Sequence, residues 1–411
     1  MVGETQILAL EDGLDALIDY RGKTPKKTDE GIPLITAKIV KSGRIETPNE
    51  FIAESDYEPW MTRGYPELGD VVLTTEAPLG EVGQINFLPV ALAQRIVTLR
   101  GKKGVLDNDY LLYLLQTEEM QSQLVGRASG TTVIGIKQSE LRKVEVQLPS
   151  VSAQRDVAST LKALDDRIDN LRQTNATLEA IAAALLKSWF VDFDGIAPED
   201  MQESELGLIP KGWRTGTLGE IFEINPKREL KKGTIAPYLD MASVPTAGAI
   251  PDAPVMREFS SGTKFTNGDT LLARITPCLE NGKTAFVNFL EKDQIGWGST
   301  EFIVLNPKPP LPPFFGYILA RRDDFRTHTI RAMSGTSGRQ RVEVGQLKNF
   351  KIAIPDETTA SMFSDVVEPV QKALFDNWAQ SATLATLRDS LLPRLISGQL
   401  RAESTAGCPH E

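Results

Sequence analysis

An internal duplication constrains this chain more than any other feature. "GDVVLTTEAP" at 69–78 is matched by "GDTLLARITP" at 268–277, an offset of 199. Ser129-Gly130-Thr131 is matched by Ser334-Gly335-Thr336 at an offset of 205, and Pro149 by Pro355 at 206. A period near half of 411 residues means two copies of one fold with small loop insertions. A solenoid needs several shorter repeats.

After each proline the sequence turns helical. Val157, Leu161, Leu164, Ile168, Leu171, Asn175, Leu178, Ala182, Leu185 and Trp189 follow alternating steps of four and three. That is a heptad seam, and only Asn175 in it is polar. Adding 206 to each number gives Phe363, Val367, Val370, Leu374, Asn377, Ser381, Leu384, Arg388, Leu391 and Leu395. One such stripe reads as a buried amphipathic helix. Two in matching register predict an antiparallel pair across a pseudo-two-fold axis, with Asn175 and Ser381 as candidates for fixing the register. A helix of about 34 residues is roughly 50 Å long, a rigid spacer between two domains. Pro393 is expected to kink or end the second helix.

The remainder reads as mixed α/β (α+β). "VVLTT", "RIVTL", "VEVQL", "TEFIVL" and "FKIAI" are predicted strands. Residues 107–124 are predicted to form a helix capped by aspartates, with 312–330 as its counterpart. The expected organisation is a first domain over 1–150, its long helix over 151–194 and a turn-rich linker over 195–212 that ends at an aromatic anchor, Trp213. A second domain over 213–355, a second long helix over 356–400 and a tail over 401–411 follow.

The available chemistry is limited. His328 and His410 are the only histidines, and Cys278 and Cys408 the only cysteines. That leaves little for a zinc site, a histidine nuclease or a Ser-His-Asp triad. It also fits a reducing, cytoplasmic compartment. No Gly-x-x-x-x-Gly-Lys-Ser/Thr loop is present and no Gly-x-Gly run follows a strand, so no nucleotide or S-adenosylmethionine site is expected. "NPKPPLPPFF" at 306–315 lacks the adjacent prolines of an adenine-methyltransferase motif and reads as a loop. No metal-binding spacing is seen. No apolar run is long enough for a membrane span, and no signal leader opens the chain.

The net charge of −10 argues mildly against nucleic acid, but its distribution does not. Residues 151–200 hold 5 Lys+Arg against 9 Asp+Glu, and 356–411 hold 4 against 8, so the helical segments carry much of the excess. Cations gather instead in Gly-, Ser- and Pro-rich turns. "YRGKTPKK" supplies Arg21, Lys23, Lys26 and Lys27. "NPKRELKK" supplies Lys227 and Arg228 and is expected at the matching place. The two Ser-Gly-Thr loops add Ser129, Thr131 and Lys137 in the first copy and Ser334, Thr336, Ser337, Arg339 and Arg341 in the second, with Arg127 and Arg274 nearby. A single charge run is usually a solvated face. Equivalent loops carrying hydroxyls, amides and guanidinium groups are the groups that grip phosphates and read base edges.

With these residues in view, the chain resembles the specificity subunit of type I restriction–modification systems over nearly its whole length. "LEAIAAALLKSWFVDFD" (178–194), "IPKGWRTGTLGE" (209–220), "MSGTSGRQRV" (333–342) and "LRDSLLPRLISGQL" (387–400) carry the resemblance. The family's helix-opening "LPP…EQ" stands here as "LPSVSAQRDVA" (148–158), a small departure.

The resemblance implies two target-recognition domains that bind a split site in double-stranded DNA, with the helix pair setting the gap. It implies two docked methyltransferase subunits that methylate adenine, and motor-nuclease restriction subunits where the system has them. S-adenosylmethionine, ATP and magnesium then belong to those partners, and this chain binds no cofactor and catalyses nothing. Trp189, Phe190 and Phe193, with Leu391, Leu392, Leu395 and Ile396, are candidates for the methyltransferase interface. Packing on the chain's own domains is the alternative for them. Two readings of the whole chain remain beside this one: a coiled-coil scaffold that binds only proteins, and a specificity module for a different defence enzyme.

Overall fold

A computed structural model describes residues 5–336 and 338–402. The expected tail therefore lies almost wholly outside the described residues, as does Ser337. The chain divides into two units, Met1–Asp169 with Ser381–Glu411, and Asn170–Gln380. Both boundaries fall inside long helices, so each unit holds one domain and part of each helix.

Unit 1 is built on an antiparallel four-stranded sheet in the order Leu14–Asp19, Ile96–Gly101, Val71–Thr75, Leu79–Gln84. Unit 2 repeats it as Phe222–Ile224, Phe302–Pro307, Thr270–Ala273, Thr284–Phe286. The central strand of each is buried throughout, so "VVLTT" and "TLLA" read as continuous apolar runs with threonine and not as alternating ones. A two-stranded ladder closes each copy, Gln6–Ala9 with Glu145–Leu148 and Arg214–Thr217 with Lys351–Ile354. All five segments predicted as strands form strands.

The duplication extends to a buried ion pair. Asp70 and Asp269, at the 199 offset, sit just before the central strands and are fully buried. Arg100 grips Asp70 with two bonds of 2.8 Å from the neighbouring strand. In the second copy the cross-strand position holds Asn306, which donates to Asp269 at 2.8 Å, and the guanidinium comes from Arg228 at 2.7 Å. Burial pushes the Asp269 carboxyl above its ordinary value, while the Thr266 amide, Arg228 and Asn306 pull it back.

The helix expected over 107–124 is two, Asn108–Leu114 and Glu118–Gly126. Asp107 caps the first as expected. Thr117 breaks the run because its hydroxyl donates to the Leu114 carbonyl at 2.8 Å and accepts from the Met120 amide at 3.4 Å. The counterpart is likewise Phe315–Arg321 and Asp323–Arg331. The expected linker holds a hairpin, Met201–Ser204 with Gly207–Pro210, and Trp213 is buried against Phe190 and Phe193 with ring centroids 5.4 and 5.5 Å away.

The long helices are Val151–Lys187 and Glu357–Ile396. Their 37 and 40 residues correspond to about 55 and 60 Å. The second runs through Pro393 to Ile396: the proline sits so near the end that little ladder remains to be lost. Ser150 and Asp356 cap the two starts, accepting from Ala153 and Thr359 amides at 3.3 and 2.8 Å.

Within each unit the two helices lie antiparallel. In unit 1, Arg388 bonds Asp165 at 2.6 Å, and Val157 and Leu395 line one cavity. In unit 2, Asn175 faces Asn377 and Phe190 packs on Phe363, ring centroids 4.9 Å apart. The seam predicted from the heptads is the inner face. Val157, Leu161, Ile168, Leu171, Phe363, Val367, Leu374 and Ser381 are buried; Leu164, Leu178, Val370 and Leu384 are half-buried.

One seam expectation is corrected. Asn175 bonds Asn377 and the Leu374 carbonyl, whereas Ser381 is buried within unit 1. Equivalence in the repeat is not opposition in an antiparallel pair: the residue across from Asn175 lies one seam step before its repeat counterpart. Arg388, which interrupts the apolar seam, is held by Asp165, which also accepts from the Tyr113 hydroxyl at 2.8 Å. Burial and that carboxylate push the Tyr113 hydroxyl far above its ordinary value.

Candidate nucleic-acid interface

Each Ser-Gly-Thr stretch folds as a short hairpin seated at the exit of its central strand. In unit 1, Ser129 and Gly135 exchange backbone bonds of 2.9 and 3.0 Å, and Gly135 bridges Glu76. In unit 2, Met333–Ser334 pairs with Arg341–Val342, and Arg341 bridges Ile275. Glu76 and Ile275 differ by 199, and Gly135 and Arg341 by 206, the offsets read from the sequence. Gly130 adopts φ +129° and a side chain there would meet the Val133 carbonyl at 2.1 Å, so only glycine fits the turn. Gly335, at φ +126°, repeats the conformation.

The charges at these seats are also repeated, with polarity exchanged. In unit 1, Arg95 pairs with Glu76 at 3.3 Å. The position equivalent to Arg95 in unit 2 is Glu301, and Arg341 on the hairpin grips it with bonds of 2.7 to 3.0 Å. The Arg341 guanidinium holds the Glu301 carboxyl below its ordinary value. Arg274 lies beside Glu343 at 3.5 Å. Arg341 and Arg274 are thus engaged within the protein, while Arg339 is exposed. Ser334 and Thr336 are exposed beside it, as are Ser129 and Thr131 in the first copy.

The two basic loops follow corresponding strands, at the matching place, but their arginines are used differently. Arg21 turns to the hairpin of its unit, donating to the Ile136 carbonyl at 2.9 Å, with Asp19 at 3.5 Å. Arg228 instead runs to the other end of the central strand to hold Asp269 and is nearly buried there. The strand before it is the shorter, and the chain departs at Asn225, φ +52°, so the loop is redirected. Lys23, Lys26, Lys137 and Lys227 are exposed; Lys27 pairs with Glu50 at 2.7 Å and Arg127 lies 3.8 Å from Glu140.

Sequence reading missed Arg63, which donates to the Asp19 and Arg21 carbonyls at 2.8 and 2.9 Å and steadies the first basic loop. No repeat or charge run marks it. Glu301 and Arg95 were findable, because they stand at the 206 offset.

Of the apolar interface candidates, Phe190 is in the core of unit 2, among Trp213, Phe315 and Phe363, and Trp189 and Phe193 pack at its edge. Leu395 is buried in unit 1, with Leu391, Leu392 and Ile396 half-buried against the same core. The exposed apolar groups on the helices are others, among them Met362, Val366 and Trp378 in unit 2 and Leu387 in unit 1. His328 packs on Phe350, ring centroids 5.0 Å apart. Among the described residues no cluster of His, Cys, Asp or Glu is placed to hold a metal ion, and no helix is long and apolar enough to cross a membrane.

A mixed α/β domain with a hairpin at the exit of its central strand, followed by a long helix, occurs twice in the chain. The sequence model of the type I restriction modification DNA specificity domain matches residues 18–180 and again 210–372. The chain belongs to that family, as a type I restriction–modification specificity subunit. The MjaIX specificity subunit of Methanocaldococcus jannaschii is 27% identical over 387 residues, covering 90% of this chain and 87% of that one. The HindI specificity subunit of Haemophilus influenzae is 20% identical over 371 residues, covering 75% and 81%. The crystal structure of the S subunit from M. genitalium matches with a TM-score of 0.57 at 17% identity, covering 96% of each chain, and shares the fold.

Proposed function

We propose that this chain is the non-catalytic DNA-reading subunit of its complex. Each domain reads one half of a bipartite double-stranded target, and the long helices set the gap. The observation that carries this reading is the repeated hairpin, seated identically in both copies and flanked by exposed hydroxyls and cations. A two-stranded ribbon fits the major groove of B-DNA, and hydroxyl, amide and guanidinium groups bind phosphates and base edges. Arg228, nearly buried on Asp269, organises the fold, and Arg341 is engaged by Glu301 although partly exposed, while exposed cations such as Lys23 and Arg339 face the polyanion.

Two methyltransferase subunits dock on the long helices and methylate adenine with S-adenosylmethionine. ATP and magnesium serve a restriction subunit where one is present, and no cofactor binds this chain. Met362, Val366, Trp378 and Leu387 are docking candidates because they leave apolar surface uncovered, and the half-buried Trp189, Phe193 and Leu391 offer smaller faces. The complex acts in the cytoplasm, where its DNA is.

The test is selection of duplexes from a random library by the chain assembled with its methyltransferase subunit. Two short fixed blocks separated by an unselected gap of constant length are expected. Enrichment of one contiguous block, or none beside a stable protein complex, contradicts the reading and favours a protein scaffold.

A further inference from the structure

The two hairpins share a seat and carry opposite chemistry. The unit 1 turn presents Thr131, Thr132, Val133 and Ile134, all exposed, with Val133 at 51% and Ile134 at 55%. No cation lies between Ser129 and Ile136. Cations lie at the base of the turn instead, among the carboxylates Asp19 and Glu76: Arg21 bonded to the Ile136 carbonyl, Arg63 bonded to the Arg21 carbonyl, and Lys137 exposed in the next position. In unit 2, Glu301 engages the Arg341 guanidinium with two-pronged bonds although the side chain stays 42% exposed, and Arg339 is the guanidinium of the turn that is exposed throughout.

We propose that the first hairpin reads its half-site through thymine methyl groups, by way of Val133 and Ile134, and that the second reads guanine through Arg339. This rests on the DNA-reading function above. In the major groove, thymine offers a C5-methyl beside its O4, and guanine offers O6 and N7 to a bidentate guanidinium. An apolar tip with Arg21, Arg63 and Lys137 near its base, beside the paired carboxylates Asp19 and Glu76, fits a polyanion whose groove floor carries methyl groups. The narrow turn enforced by Gly130 holds the two branched side chains at the end of a ribbon that the groove admits.

The experiment repeats the duplex selection with three assembled complexes: the natural chain, Val133→Ser/Ile134→Ser, and Arg339→Ala. The changed residues are exposed and outside the core, and thermal unfolding of each chain checks that the fold is kept. The serine pair is expected to lose discrimination for an A·T pair in one half-site, by about ten- to a hundredfold. Arg339→Ala is expected to lose a guanine in the other half-site by a similar factor. In each variant the untouched half-site keeps its sequence. Unchanged motifs in both variants overturn the assignment alone, as does loss at positions that are neither A·T in the first case nor G·C in the second. A natural complex that selects no split motif removes the DNA-reading function, and this inference falls with it.

Discussion

Asn377 donates its side-chain amide to the Asn175 Oδ1 at 3.0 Å, and Asn175 donates to the Leu374 carbonyl at 2.9 Å. A polar pair inside an apolar seam is a register device: any slip leaves a half-buried amide unpaired. Asn377→Ala is expected to cost about 1–2 kcal/mol, measured as a shift in the denaturant midpoint. Replacing both asparagines with leucine should restore or raise stability. It should also blur the gap between selected half-sites, because the penalty for a slip is gone. A double variant with one sharp gap length contradicts this role.

Asp70 and Arg100 form a buried pair that removal of one partner leaves uncompensated. Asp70→Ala is expected to destabilise the protein by about 3 kcal/mol, and Asp269→Ala by a similar amount through Arg228. Chemical denaturation of each single variant measures it. A shift below about 0.5 kcal/mol for either one means that the pair is solvated and carries no such role.

The Glu301 carboxyl is held below its ordinary value by Arg341, and the Asp356 carboxyl by the Thr359 amide at the start of the second long helix. A depressed folded pKa gives stabilisation that is complete above the unfolded value, near 4, and is lost as pH falls through the folded value. The melting-temperature gap between the natural chain and Glu301→Gln should therefore be widest near neutrality and close below about pH 4. A gap that stays constant down to pH 3 contradicts the assignment.

Phe190 packs among Trp213, Phe315 and Phe363, so Phe190→Ala should cost about 3–5 kcal/mol. Trp378→Ala, on an exposed face, should leave the melting temperature nearly unchanged and weaken methyltransferase binding, read by analytical ultracentrifugation. The reverse pattern would place the docking face at the end of the first helix.

The architecture was largely legible. The 199 and 206 offsets recur as the bridge partners Glu76–Gly135 and Ile275–Arg341, and no heptad position on either helix is exposed, although neighbours such as Leu186 and Phe375 are buried too. What a repeat cannot state is who stands opposite whom. The repeat therefore does not mark Asn377 as the partner of Asn175, and the charge run does not separate Arg228 from its exposed neighbour Lys227. An arginine's destination is set by tertiary geometry: Arg21 and Arg228 follow corresponding strands, yet one reaches a hairpin and the other a buried carboxylate. The broken helix at Thr117 turned on one hydroxyl competing with the backbone.

The most direct measurement is a methylome. The chain and its methyltransferase subunit are co-expressed in a host without adenine methylation, and N6-methyladenine is mapped with and without the chain. The account predicts a split motif, methylated on both strands only when the chain is present. Methylation that is unchanged by removing the chain would contradict it.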